Sequence, residues 1–186
     1  MKIITFDIEA DGFQESVSKM HCLVAKNYHT KEVRRFYDEQ VVDKLDTDLL
    51  CKDSLDYLAD ADVVVGHNLI GYDFDILDMF YGRHPTCKVV DTLVWSQVLN
   101  PDRRLPKGCP ATYINPLTGK AEKITPHSLA AWGYRVSRSK PAHFDWMNFS
   151  EDMLHRCVED VEISELVLLA LLKEAGMDIE EIINVG

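Results

Sequence analysis

The chain has 186 residues, a formal net charge of −11 at pH 7, 46% apolar residues and 27% charged residues. This composition is typical of a globular domain and predicts no membrane-spanning segment, because no apolar run approaches the roughly 20 residues that a bilayer span needs. We expect a cytoplasmic protein without a signal peptide, in which the five scattered cysteines are reduced.

Hydrophobic periodicity predicts three strands in meander order, followed by helices that alternate with strands. The predicted strands are residues 2–9, 21–27, 32–38, 63–65 and 88–91. The predicted helices are residues 54–61, 73–81 and 92–99, one that starts at 128–132, and 151–175, with Ser150 as the last N-cap and Gly176 past the last end. This order predicts an α/β fold with a mixed sheet flanked by helices.

Residues 101–126 interrupt the pattern, because they hold five of the seven prolines and two glycines. We predict an excursion with a short hairpin inside a single domain of residues 1–186. From 102 to 140 there are eight Lys or Arg and two acids, so this strip carries +6 (8 − 2) and the remainder −17 (−11 − 6). The strip is compatible with a phosphate-binding groove, and a solvated basic loop is the alternative interpretation.

Four carboxylates lie within or at the ends of apolar segments: Asp7, Glu9, Asp73 and Asp160. A buried charge is costly unless it is compensated, so acids accumulate in such places mainly where a cation neutralises them. Asp7 and Glu9 are two apart on a strand and therefore point to the same face. Oxygen ligands without a Cys/His cluster favour Mg²⁺ or Mn²⁺ over zinc. Solvated acids at a strand end and, for Asp73, an acid at a helix N-terminus are the alternatives.

Several other polar and aromatic side chains have two interpretations each. Asn68 follows a predicted buried strand, where it either fixes the turn or contacts a substrate phosphate or sugar. His155 is a candidate base, since histidine accepts protons near neutral pH, or else a surface histidine. His67 is expected to pack or hydrogen-bond. Phe13 and Tyr72 are candidates for stacking on a base or for the core.

Three segments together resemble the motifs of the DEDD superfamily of 3′→5′ exonucleases, which share a ribonuclease-H-like fold. Residues 7–10 (Asp-Ile-Glu-Ala) are similar to the first motif, 67–73 to the second and 157–161 to the third. Further similarity lies in residues 90–96, 127–135 and 146–152. The resemblance covers nearly the whole chain and is greatest to the proofreading exonuclease domains of bacteriophage family A DNA polymerases.

This resemblance implies hydrolysis of the 3′-terminal phosphodiester of DNA, preferentially single-stranded, with release of nucleoside monophosphates. It implies two divalent cations, Mg²⁺ or Mn²⁺, held by Asp7, Glu9, Asp73 and Asp160, with His155 as the base. The candidate contacts to the terminal nucleotide are the main chain at Ile8 and Ala10 and the side chain of Asn68. Arg103, Arg104 and Lys107 of the basic strip are the candidates for contact with phosphates. The implied partners are DNA 3′ ends and a DNA polymerase, in the host cytoplasm if the gene is a phage gene.

The chain departs from the pattern just before Asp160. Phage polymerase domains of this kind usually have a tyrosine four residues before the last aspartate, where this chain has Arg156, and His155 stands five before, as in the histidine branch of the superfamily. In a regular helix, five residues are about 500° of rotation, which leaves His155 roughly 140° from Asp160. We therefore expect the helix to be broken or to begin later than Ser150; the alternative is that Arg156 faces the site and His155 is peripheral.

Two other functions stay open on the sequence. The first is an RNA-directed exonuclease similar to oligoribonucleases, because no motif distinguishes the sugar. The second is a catalytically inactive nucleic-acid-binding module on the same fold, which the presence of all four carboxylates disfavours.

Overall fold

A five-stranded mixed sheet in the order β3-β2-β1-β4-β5 organises the molecule. The computed structural model describes residues 1–13, 15–37, 51–115, 119–138, 140, 143 and 145–184. The strands of the sheet are β1 (Ile3–Ala10), β2 (Met20–Asn27), β3 (Val33–Tyr37), β4 (Val63–Gly66) and β5 (Lys88–Asp91). β1 pairs antiparallel with β2 and parallel with β4, so it occupies the centre of the sheet.

Five α-helices, the short 3₁₀ helices Cys51–Asp53 and Ile179–Asn184, a π-helical turn and a small hairpin complete the described part of the chain. The helices are α1 (Ser54–Ala59), α2 (Phe74–Tyr81), α3 (Thr92–Leu99), α4 (Leu129–Arg135) and α5 (Glu151–Ala175). The hairpin pairs β6 (Thr112–Ile114) with β7 (Ala121–Lys123) inside the predicted excursion. The predicted α/β fold with a mixed sheet and flanking helices is confirmed, and residue 38, the predicted end of the third strand, lies outside the described residues. The single-domain boundary stays a prediction.

Alternate residues of β1 face opposite sides of the sheet, as strand geometry requires. Ile4, Phe6 and Ile8 pack into a core with α1 and α2. Ile3 faces a second core that includes the C-terminal half of α5. Asp7 and Glu9 therefore share the face of Ile3, which α5 covers.

The long helix α5 is defined at both ends by its sequence. The Ser150 hydroxyl accepts the Met153 amide at 3.1 Å, and Gly176 adopts a left-handed φ of 67°, which ends the helix. Lys26, buried on β2, pairs with Glu162 at 2.7 Å and Glu165 at 3.2 Å, which fixes the register of α5 on the sheet. Within the described residues no helix has the length and apolar content to cross a membrane.

Candidate active site

Three carboxylates from two elements meet at the C-terminal end of β1. Carboxylate oxygens of Asp7, Glu9 and Asp160 all lie within 4.8 Å of one another. Glu9 and Asp160 are buried, and Asp7 is partly exposed at the mouth of the site. Asp160 thus joins two acids that are 151 and 153 positions earlier in the sequence in one oxygen-rich cluster, as predicted for a shared cation.

Two consecutive residues of α5, Arg156 and Cys157, contact the two acidic residues of β1. The Nε atom of Arg156 donates to Glu9 Oε1 at 3.1 Å, and the Cys157 thiol donates to the Asp7 carbonyl at 3.4 Å. Since four residues are about 400° of helix, Arg156 and Asp160 lie about 40° apart and both face β1.

Asp73 reaches the same end of the sheet from the segment between β4 and α2. It ends a π-helical turn, Leu69–Asp73, that runs directly into α2. The backbone N–H of Ile8 lowers the pKa of Asp73 against the larger effect of burial, and the segment Leu69–Asp73 contacts β1, so the fourth acid lies beside this strand. Asp73 stands outside the 4.8 Å group of the other three acids, although its charge still raises the pKa of Asp7.

The chain can make this turn because of two backbone features. A Cβ on Gly66 would lie 2.8 Å from the Phe6 carbonyl, so only glycine allows β4 to approach β1 here. Asn68 then takes a left-handed φ of 71°, which asparagine tolerates better than most residues. Asn68 therefore fixes the turn through its backbone conformation, which is one of its two predicted roles. Its contact with substrate stays a prediction.

Asp91 is a further buried carboxylate, for which the sequence pattern predicts no role beyond family similarity. It caps α3 by accepting the Leu93 amide at 2.9 Å, and it also accepts the amides of Asn68 and Ile70 at 2.9 and 3.1 Å. These hydrogen bonds satisfy its charge, which distinguishes it from the four clustered acids. Asp91 therefore positions the loop that carries Asp73.

The clustered acids repel one another in a buried environment. Burial raises the pKa of Asp7 well above its usual range, and the charges of Asp160, Asp73 and Glu9 raise it further. Burial and then Asp160 raise the pKa of Glu9 to about 7, against the opposing effects of Lys140 and Arg156. Burial also raises the pKa of Asp73. Raised pKa values are typical of buried carboxylates whose negative charges are not all balanced by nearby positive charges.

The donor set fits a hard divalent cation. All ligating atoms are carboxylate oxygens, and one buried oxygen each of Asp73 and Asp160 has no hydrogen-bond partner among the described residues. A buried carboxylate oxygen without a partner is costly, and a bound metal ion would remove that cost. The four acids are therefore suited to Mg²⁺ or Mn²⁺.

His155 does not join the cluster, which corrects the placement expected from the histidine-branch pattern. The helix α5 is continuous from Glu151 through Asp160, so the expected break is absent and His155 is exposed on another face. The pKa of Glu159 is lowered by the hydrogen bond from Arg138 and, more weakly, by the charge of His155, which locates the imidazole beside Glu159. The alternative placement, in which Arg156 faces the site, is the one found.

Arg103 also lies away from the cluster, contrary to its predicted contact with substrate. Its guanidinium pairs with Glu174 at 2.8 Å and lies 4.7 Å from the Trp132 ring centroid. Glu174 is fourteen residues beyond Asp160, about 21 Å along α5. Arg103 therefore stabilises the fold, whereas Arg104 and Lys107 are exposed and stay candidates for phosphate contact.

The remaining predicted residues separate into core and surface. The side chains of Ile8 and Ala10 are buried, so only their main chain could face a substrate. Phe13, just after β1, is 82% exposed and is not a core residue.

Tyr72 packs against the core, and its hydroxyl donates to the Gly12 carbonyl at 2.7 Å. His67 hydrogen-bonds to Thr92 at 2.9 Å, and burial lowers its pKa to about 3, so it is a neutral structural residue as expected.

Known structures identify the class of fold. A nuclease in its apo form superposes with a TM-score of 0.59 at 15% identity, over 98% of this chain and 78% of the nuclease. E. coli exonuclease I in complex with a dT13 oligonucleotide gives a TM-score of 0.51 at 12% identity, over 99% of this chain and 42% of the exonuclease. The chain has the ribonuclease-H-like fold of these nucleases.

Sequence relatives agree with this class. No family model matches the chain. The chain is 27% identical, over 92% of its length, to the DNA-directed DNA polymerase of Escherichia phage T7, and 25% identical over the same share to that of Enterobacteria phage T3. It spans 27% of the length of each polymerase. The predicted resemblance to DnaQ-like exonuclease domains of phage DNA polymerases is therefore confirmed.

Proposed function

We propose that this chain is a metal-dependent 3′→5′ exonuclease that removes nucleoside monophosphates from single-stranded DNA. The observation that carries the proposal is the 4.8 Å group of Asp7, Glu9 and Asp160, with Asp73 close enough for its charge to raise the pKa of Asp7. Buried acids with raised pKa values and unpartnered oxygens support a cation site. The similarity to phage polymerases and the exonuclease fold supports this choice among metal-binding functions.

The residues that would hold the cations follow from their positions. Asp7, Glu9 and Asp160 are close enough to share one cation, and Asp73 with Asp7 would hold a second. Bound there, divalent cations activate water and stabilise the charge on the phosphate that is cleaved. Mg²⁺ and Mn²⁺ are the proposed ions, because the ligand atoms are all carboxylate oxygens.

Arg156 is the side chain that we assign to the substrate phosphate. It takes the position of the tyrosine in polymerase-type relatives, and its guanidinium lies 4.9 Å from the Trp146 ring centroid while it donates to Glu9. These two contacts orient a permanent charge beside the carboxylates. Arginine is well suited to this role, since its planar fork matches phosphate oxygens. His155, exposed on another face of α5, does not enter the proposal.

The exposed ring of Phe13 supports an unpaired 3′ end as the substrate. Phe13 lies three residues after the end of β1, the strand that carries Asp7 and Glu9. Its ring is 82% exposed, so a base can stack on it. Stacking tolerates any base, as an exonuclease requires. We place the activity in proofreading beside a DNA polymerase or in phage DNA metabolism, with DNA 3′ ends as the partner.

The decisive experiment separates degradation from binding. A 5′-labelled single strand of DNA, and an RNA of the same sequence, are incubated with protein in Mn²⁺, in Mg²⁺ and in EDTA. The proposal expects stepwise shortening of DNA that requires metal. Faster loss of the RNA would favour the oligoribonuclease-like alternative, and a mobility shift in EDTA without shortening in metal would favour an inactive binding module.

A further inference from the structure

Lys140 brings a positive charge into the carboxylate cluster from outside the sheet and α5. Its Nζ atom lies 2.5 Å from Asp160 Oδ2, and the Asp160 side chain is only 3% exposed. The charge of Lys140 also opposes the rise in pKa of both Asp7 and Glu9, so the ammonium acts on three of the four acids. The sequence pattern did not predict this position, since it counts Lys140 only within the basic strip 102–140 and assigns it no contact with the acids.

We propose that Lys140 is an internal counter-cation that a divalent metal ion must displace from Asp160, so that this lysine sets the metal concentration at which the site fills. This inference rests on the proposed metal-dependent function. The second oxygen of Asp160 is buried and has no hydrogen-bond partner among the described residues, so Lys140 contacts only one of the two carboxylate oxygens. An ammonium in contact with one oxygen and a divalent ion at 2.0–2.1 Å from the same group repel each other strongly at that separation.

The two positively charged side chains beside the cluster, Arg156 and Lys140, differ in how firmly they are held. Arg156 is held by Glu9 and by the Trp146 ring, and its charge is permanent. Lys140 carries a compact charge on a flexible four-carbon stem, with a side chain that is 25% exposed, so it has a path by which it can withdraw into water. The lysine is therefore the cation that leaves when a metal ion arrives.

The test measures Mn²⁺ binding by titration calorimetry without DNA, in the wild type, Lys140→Gln and Lys140→Arg. Removing the competing charge should tighten the Mn²⁺ Kd of Lys140→Gln by about tenfold or more, whereas Lys140→Arg should stay near the wild type or bind more weakly. In EDTA at pH 8, Lys140→Gln should have a lower Tm than the wild type, and saturating Mn²⁺ should raise its Tm by more than it raises that of the wild type.

Lys173→Gln is the matched control, since it removes the same charge from the far end of α5, about 20 Å along the helix from Asp160. Its Kd for Mn²⁺ should equal that of the wild type. A wild-type Kd in Lys140→Gln, with Mn²⁺ binding that Asp7→Asn abolishes, would overturn this inference and leave the proposed function intact. A wild type that binds no Mn²⁺ at all would overturn both.

Discussion

The guanidinium of Arg156 donates to the carboxylate of Glu9 across 3.1 Å, joining two residues that are 147 positions apart in sequence. This contact shows that Arg156, and not His155, faces the site from the positions just before the third motif. It replaces the expected histidine with a group that cannot accept a proton from water. The proposed mechanism therefore relies on a fixed positive charge beside the carboxylates rather than on an imidazole base.

Arg156→Ala should reduce the rate of single-strand degradation by about 10²-fold, because it removes a preorganised charge from beside the reacting phosphate. Steady-state kinetics in saturating Mn²⁺ measure this loss. Arg156→Lys should recover part of the rate but not all, since lysine lacks the planar fork.

His155→Ala is the paired measurement on the same helix. Its rate and its pH–rate profile should match those of the wild type within about twofold, because an exposed side chain beside Glu159 has no path to the cluster. A loss of 10² or more together with the disappearance of an ascending limb near neutral pH would restore His155 as the base and reject the placement described above.

Asp7→Asn should lower activity by at least about 10²-fold while making the metal-free protein more stable at pH 8. The stabilisation arises because Asp7 is repelled by Asp160, Asp73 and Glu9, and the neutral amide removes that repulsion. Urea unfolding in EDTA provides the free energy of unfolding. If Asp7→Asn instead destabilises the metal-free protein by more than about 1 kcal/mol, the carboxylate has a structural partner that outweighs the repulsion.

The stability of the metal-free protein should depend on pH through Glu9. Its folded pKa of about 7 exceeds the usual 4.5, so between these values the folded state binds more protons than the unfolded state. Stability from this group is complete below about pH 4.5 and is lost as pH rises toward 7, at up to 1.4 kcal/mol per pH unit for each excess proton.

Unfolding in EDTA from pH 5 to pH 8 should therefore show a steeper fall for the wild type than for Glu9→Gln. Glu9→Gln is needed as a reference because His67 has the opposite effect on stability. The pKa of His67 is lower in the folded state than in the unfolded state, so His67 reduces stability as the pH falls below its pKa in the unfolded chain. Parallel profiles for the two proteins would mean that Glu9 is not strained by its neighbours.

The basic strip should divide into structural and substrate-binding residues. Arg103→Ala should cost about 1–3 kcal/mol of stability, since its side chain is 10% exposed and pairs with Glu174, and should leave the salt dependence of DNA binding unchanged. Neutralising Arg104 and Lys107 together should reduce the slope of log K against log salt by about 1.4, if each contacts one phosphate of a single strand. An unchanged slope would identify both as ordinary solvated residues.

Much of the fold was predictable because the relevant information is local. The strand at Lys88–Asp91, the helix Thr92–Leu99 and the caps of α5 occur where periodicity and capping residues placed them. The predicted helix at 73–81 is preceded by a π turn from Leu69, because Gly66 and Asn68 bend the chain early and Asp91 accepts the freed amides. That compensation comes from a residue more than twenty positions away, which local patterns cannot reveal.

The grouping of the site was predictable in part. Strand alternation correctly put Asp7 and Glu9 on one face, and Asp160 joined them as the motif resemblance implied. The histidine-branch pattern implied a broken helix at His155, but α5 is continuous there, so His155 keeps the angle of roughly 140° from Asp160 that a regular helix imposes. The contacts of Lys140 and Arg103 with Asp160 and Glu174 depend on tertiary packing and had no counterpart in the sequence pattern.

The most direct test of the central claim follows the first nucleotide released. A single-stranded DNA labelled within its 3′-terminal nucleotide is mixed with protein and Mn²⁺, beside a closed circular strand of the same sequence and the Asp7→Asn variant. We expect immediate release of a labelled nucleoside monophosphate from the linear strand, an intact circle and no release by Asp7→Asn. Cleavage of the circle, or oligonucleotides as the first labelled products, would contradict this claim.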